Sequence, residues 1–304
     1  MNQPDQEIDS VRSSEIKVTD NGDTKCAPAI NFESHSCIRL DILIEMSRAF
    51  NEDNPHDTIL LYHNLEALNP NKYKRYLLKQ LKNKLTLKCN SQKCWTEQNF
   101  INNMKEKTKE ELLKYTFRPE GPQGRFDWLN TINIEEVMKQ YEKKYPDFVF
   151  LGAVPIDFDD LPILGIKDLN FNDLLNSGKI KIGIVFNLDK HNQKGSHWVA
   201  MYCNLKNGEI YFYDSYGLRP VKEIRTLMRK IHRFCETGLG MKDIKSDYNK
   251  VRHQFEGSEC GVYSISFILR LLSGDTFEKV CRDKNPDEEV NKCRNTYFIN
   301  SNIK

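Results

Sequence analysis

The stretch that decides the fold is His197-Trp198-Val199-Ala200-Met201-Tyr202-Cys203-Asn204-Leu205-Lys206-Asn207-Gly208-Glu209-Ile210-Tyr211-Phe212-Tyr213-Asp214-Ser215. Apolar and aromatic residues fill 197–203 and 209–215 around a polar 204–208, so the run reads as two antiparallel strands joined by a turn. Two registers fit it. A two-residue turn at Asn207-Gly208 pairs Met201 with Asp214 and leaves His197 four residues away. A four-residue loop, 204–207, pairs His197 directly with Asp214. Both keep the two side chains on one face, because a shift of four preserves the parity of the pleat. The second register is expected, since it brings imidazole and carboxylate within hydrogen-bonding distance.

Cys260-Gly261 lies downstream, followed by Val262, Ile265, Ile268, Leu269 and Leu272, the spacing of a buried helix. Cys260 is therefore expected in the first helical turn, where unpaired N–H groups and the helix dipole favour an anion. Gly261 is expected to let another backbone approach closely. A thiol is a useful nucleophile only as thiolate, which needs a base or a local field. His197 supplies the base, Asp214 its orienting acid, and Gln254, six residues before Cys260, an uncharged donor for an oxyanion. Taken singly, each has a bland reading: a packed histidine, a turn-initiating aspartate, a buried cysteine. Together and in this order they make a nucleophilic site.

This set, with Tyr213-Asp214-Ser215, resembles the SUMO-protease/adenovirus-protease superfamily of cysteine peptidases, the ubiquitin-like-protease group. Asp127-Trp128-Leu129-Asn130 is similar to that family's early Trp-Leu motif. Phe117-Arg118-Pro119 with Gly121-Pro122, the helix start at Asn133-Ile134-Glu135-Glu136, and an extension carrying Cys89 and Cys94 resemble the polyprotein-processing proteases of large DNA viruses such as African swine fever virus. The resemblance implies an α+β, papain-like core with a central mixed sheet flanked by helices. It also implies catalytic roles for His197, Asp214, Gln254 and Cys260. Trp128 and Trp198 would then face each other as a slot that passes only small residues, above all Gly-Gly, before the scissile bond; ordinary core packing is the alternative. The expected activity is viral endoproteolysis of polyprotein or capsid precursors during virion maturation. Deconjugation of a ubiquitin-like modifier is the alternative, followed by Ser/Thr acetyl transfer and an inactive binding scaffold.

The 45 basic and 43 acidic residues leave a net charge of +2, which argues against a nucleic-acid binder by charge alone. No apolar run is long enough to span a membrane, so no membrane partner is expected. Nine cysteines without framework spacing suggest reduced thiols, and hence a reducing compartment: host cytoplasm and virion if viral, otherwise cytoplasm or nucleus. Residues 1–30 are polar and read as a disordered tail. Residues 31–116 read as an all-helical arm, with helices at 37–51, 71–87 and 96–115, and 117–304 as the protease core. The basic helix 71–87 reads first as a solvated face over Leu77, Leu78, Leu81 and Leu85, with nucleic acid as the alternative partner. A zinc site from His35, Cys37, Cys89 and Cys94 has loose spacing, so no metal or cofactor is assigned and these thiols are expected to pack in the arm. In the core, a helix is expected at 134–144, strands at 148–155, 179–187 and 248–254, a helix at 221–235, and a last helix opening at Asn285-Pro286.

Overall fold

A computed structural model describes residues 25–62 and 69–299. The chain divides after Pro119 into two compact units. The first is helical: α1 (Leu40–Asp53), α2 (Pro70–Leu85), a single turn α3 (Gln92–Trp95) and α4 (Glu106–Tyr115). Asn69 caps α2 by accepting from the Asn71 and Lys72 amides, and Pro70 fills the first position, where its missing N–H leaves no helical bond unmade. The helix expected over 96–115 is broken. Asn99–Asn103 is a 3₁₀ turn, and Met104 leaves helical geometry at φ −70, ψ 150. Burial of Phe100, Ile101 and Met104 on this tight turn outweighs the continuous periodicity.

Two further expectations are corrected in this unit. Cys26 is bonded to Cys37, and Cys89 to Cys94, so these four are disulfides rather than packed thiols. Lys25 to Ile30 were expected within the disordered tail, yet Cys26 bridges Phe117, and Ala27 is buried with its amide bonded to the Thr116 carbonyl. The rest of that tail lies outside the described residues.

The second unit opens on α5 (Thr131–Lys144), started by a capping box between Asn130 and Asn133. Then come β1 (Phe148–Pro155), α6 (Phe171–Asn176), β2 (Lys181–Asn187), β3 (Trp198–Asn204), β4 (Glu209–Tyr213), α7 (Lys222–Arg233) and β5 (Lys245–Tyr248). α8 (Cys260–Leu272), α9 (Phe277–Arg282), α10 (Asp287–Lys292) and α11 (Arg294–Tyr297) complete it. The strands form one mixed sheet in the order β1-β2-β3-β4-β5, parallel at β1/β2 and β4/β5 and antiparallel between. The strand expected at 248–254 falls earlier, at β5, where pairing with β4 is available.

Both faces of the sheet are covered, so β3 is buried along its whole length. Trp198, Ala200 and Tyr202 pack with Ile265 and Ile268 of α8. Val199, Met201 and Cys203 pack with Ile224, Leu227 and Ile231 of α7. α8 therefore presses on one face of the central strand with its N-terminal Cys260 at the site.

The hairpin register is neither of the two weighed. Asn204 pairs with Glu209 and Ala200 with Tyr213, enclosing the four residues 205–208, with Gly208 at φ 66. Extending that ladder places Asp214 opposite Val199, so His197 and Asp214 are diagonal neighbours on one face. Long side chains reach across such a diagonal.

The residue before α8 is anchored from the far end of the chain. Glu259 and Arg294, both fully buried, pair at 3.1 Å, and Asn291 and Ser258 donate to Glu259 Oε1 at 2.8 Å each. Arg294→Ala is expected to lower unfolding free energy by about 3–5 kcal/mol, because it strands a buried carboxylate. Lys292→Ala, removing an exposed pair with Glu289, should change it by less than about 1 kcal/mol. Urea denaturation of the two variants checks both values.

Candidate active site

The ladder ends at Trp198 and Tyr213, and both functional side chains stand one residue beyond it. His197 Nε2–H donates to Asp214 Oδ1 at 2.7 Å with both residues buried. A carboxylate only accepts, so Nε2 carries the proton and Nδ1 is the nitrogen left for the Cys260 thiol, which is near enough to act on the ring's titration. Burial alone would lower the His197 pKa. The hydrogen bond to Asp214 and its charge, together with the neighbouring Cys260, outweigh it and raise the value to about 9.

Asp214 is held from three sides. The Tyr216 amide donates to the same Oδ1 at 2.8 Å, closing a turn in which the Gly217 amide bonds the Asp214 carbonyl at 2.7 Å. The Asn249 side chain grips the Asp214 backbone, its Oδ1 accepting from the amide and its Nδ2 donating to the carbonyl. Gly217 has φ 73, and a Cβ there would stand 2.7 Å from the Val251 carbonyl carbon, so no larger residue fits. Turn initiator and imidazole orienter are thus one residue with both tasks.

Gln254 is fully buried. Its Oε1 accepts from the Ser215 hydroxyl at 2.6 Å, and its Nε2 donates one hydrogen to the Glu256 carbonyl at 2.7 Å. The amide orientation is thereby fixed, and a second N–H remains. Cys260 is the first residue of α8, 3 % exposed, with its amide among the unpaired donors of that helix end. The close approach expected at Gly261 is made by a side chain rather than a backbone: a Cβ there would meet Leu129 at 3.0 Å. The Leu129 carbonyl accepts from the Trp198 indole N–H at 2.8 Å.

The two tryptophans differ in setting. Trp198 is 6 % exposed and sits in the core, whereas Trp128 is 49 % exposed. Through Leu129 the backbone beside Trp128 is tied to the Trp198 ring.

Several residues of the site were not read from the sequence. The Tyr216 ring lies flat on His197, centroids 4.4 Å apart at 8°, and covers the imidazole. Arg252 stands 5.1 Å over Tyr216 and donates to the Gln254 carbonyl at 2.7 Å. Asn249 and Arg252 are ordinary loop residues with no periodic signal, and Ser215 stood in the Tyr213-Asp214-Ser215 motif without its bond to Gln254 being foreseen. Only its adjacency to Asp214 pointed to Tyr216. His253 bonds Tyr213 and the Cys281 carbonyl, away from the thiol. Among the described residues, no group of three or more His, Cys, Asp or Glu is placed to hold a metal.

A chain with this geometry has relatives. Residues 182–300 match the Ulp1 protease family, C-terminal catalytic domain. A protein of Acanthamoeba polyphaga mimivirus named as a thiol protease is 39% identical over 277 residues, covering 88% of this chain and 90% of that one. The chain belongs to the Ulp1 family of cysteine peptidases. A SUMO-1 cysteine protease of African swine fever virus is 24% identical to this peptidase over 257 residues, 75% of this chain and 89% of its own. The crystal structure of an African swine fever virus protease has the same fold, with a TM-score of 0.63 at 21% identity over 94% of the peptidase and 99% of that chain. The expected fold class, an α+β cysteine-protease core with a helical N-terminal region, holds.

A folded pKa of about 9 against 6.5 for a free imidazole fixes the sign of the pH dependence. The stabilisation from this pair is complete below pH 6.5 and is lost as pH rises through about 9. Asp214→Asn and Cys260→Ser each remove a negative partner, so the His197 ring should titrate lower in both than in the native peptidase. Imidazole proton NMR against pH measures this, and an unchanged midpoint in either variant would contradict the assigned contacts.

Proposed function

We propose that the peptidase cleaves a protein precursor after a small-residue pair of the Gly-Gly type, as a viral maturation endopeptidase. The observation that carries the reading is the buried His197–Asp214 hydrogen bond with Cys260 at the start of α8. Cys260 Sγ attacks the scissile carbonyl carbon while His197 Nδ1 holds the thiol proton. That proton passes to the leaving amine as the C–N bond breaks, giving an acyl-enzyme. Water, deprotonated by the same nitrogen, then attacks the thioester, releasing the acid and restoring the thiol. The second Gln254 Nε2–H and the Cys260 amide donate to the tetrahedral oxyanion.

Supporting the small-residue preference is the bond from the Trp198 indole to the Leu129 carbonyl, which holds that ring against the backbone next to Trp128. A slot between them would pass a chain without side chains. Supporting the viral reading is the extent of the mimivirus match. A deconjugating activity has its own support: the African swine fever virus relative is named for SUMO-1. The family's core chemistry serves both.

Purified protein incubated with Gly-Gly-Xaa peptides and with SUMO and ubiquitin fusions separates these readings. Peptide cleavage well above fusion cleavage is expected, and the reverse would favour deconjugation. Cys260→Ala should abolish turnover, whereas Gln254→Ala should lower it roughly 100- to 1000-fold, the usual consequence of losing one oxyanion donor. A loss below about tenfold in a folded Gln254→Ala variant would remove that residue from the site.

A further inference from the structure

A cleft of about 630 Å³ lies near the start of α8, and Phe126, Trp128, Glu256, Asp287 and Glu288 are among the residues that line it. Ser258 and Glu259, which immediately precede Cys260, form part of its lining. Adjacent Cα atoms lie 3.8 Å apart, and an extended peptide advances about 3.3 Å per residue, so the cleft is within roughly three substrate residues of the scissile bond.

Its chemistry is mixed. Phe126 and Trp128 are 62 % and 49 % exposed, an aromatic surface of the kind that marks a binding site. Besides these three carboxylates the lining holds one guanidinium, that of Arg125. Glu259 also lines the cleft, but buried Arg294 neutralises it. Asp287 is immobilised as a fixed charge. Its Oδ2 accepts from the Phe255 and Glu256 amides at 2.7 and 2.9 Å, and its Oδ1 accepts from the Tyr263 hydroxyl at 3.0 Å. Glu256 and Glu288 are exposed. Arg125 already displays what the walls accommodate: its guanidinium stands 5.1 Å over the Phe126 ring and 3.9 Å from Glu288.

We propose that this cleft is a specificity subsite for a lysine or arginine side chain of the substrate, close to the small-residue pair. The inference rests on the peptidase reading of Cys260. The aliphatic stem lies along the aromatic wall while the cation sits over ring faces and meets Glu256 and Glu288.

The test is a set of peptides around a Gly-Gly pair, varied one position at a time over three residues on each side among Lys, Arg, Gln, Leu and Glu. At one position, Lys and Arg should exceed Glu in kcat/KM by roughly tenfold, the combined scale of one cation–π contact and partly exposed charges. The ratio should shrink with added salt. In Glu256→Lys and Glu288→Lys it should fall to unity or invert, with iodoacetamide labelling of Cys260 reporting that each variant retains its site. Cleavage independent of charge at every position, or a preference for Leu, overturns the subsite and leaves the peptidase reading standing. Failure to cleave any peptide overturns the subsite, and failure to cleave SUMO and ubiquitin fusions as well overturns both.

Discussion

One oxygen, Asp214 Oδ1, accepts the His197 Nε2–H at 2.7 Å and the Tyr216 amide at 2.8 Å. The first bond selects the imidazole tautomer and leaves Nδ1 for the thiol. The second folds the turn that lays Tyr216 across the imidazole and brings Gly217 against the 251–252 backbone. From that contact the chain runs to Gln254, whose amide orientation depends on Ser215, the neighbour of Asp214. The end of β4 thus holds both His197, through the Asp214 carboxylate, and Gln254, through Ser215. Losing that carboxylate would free the ring, while the Gln254 loop would keep its own bonds to Ser215, whose carbonyl accepts from the His253 and Gln254 amides.

The sheet makes this arrangement rigid. With α7 on one face and α8 on the other, β3 and β4 cannot slide without exposing one of two cores. α8 brings its N-terminus to the end of β3 where His197 stands, and the Glu259–Arg294 pair fixes the residue just before it. The other four free thiols have settings that work against a thiolate. Cys203, Cys235, Cys281 and Cys293 all have thiol pKa values pushed up by desolvation, Cys281 to about 11. None of these four lies beside an imidazole–carboxylate pair.

The sheet and the order of the candidate residues were legible because both follow from period and spacing. Phe148–Pro155 is a strand with the boundaries its apolar run suggested, and Cys260 opens a helix because its apolar followers recur every three or four residues. The register was not legible. Loops of two, four or intermediate placement all keep His197 and Asp214 on one face, and a left-handed Gly208 serves the two-residue turn as well as the observed loop. The cysteine pairing in the first unit escaped for a related reason: spacing says nothing of which segments meet, and Cys26 lies in a polar stretch. Tyr216 escaped because stacking on a ring leaves no pattern in the chain.

The central claim is that His197, organised by Asp214, makes Cys260 the reactive thiol. Brief iodoacetamide treatment at neutral pH, followed by peptide mass spectrometry, tests it directly. Cys260 should be alkylated well before Cys203, Cys235, Cys281 and Cys293, and its rate should fall sharply in folded His197→Ala. Labelling led by Cys281 or Cys293, or a Cys260 rate indifferent to His197, would contradict the account.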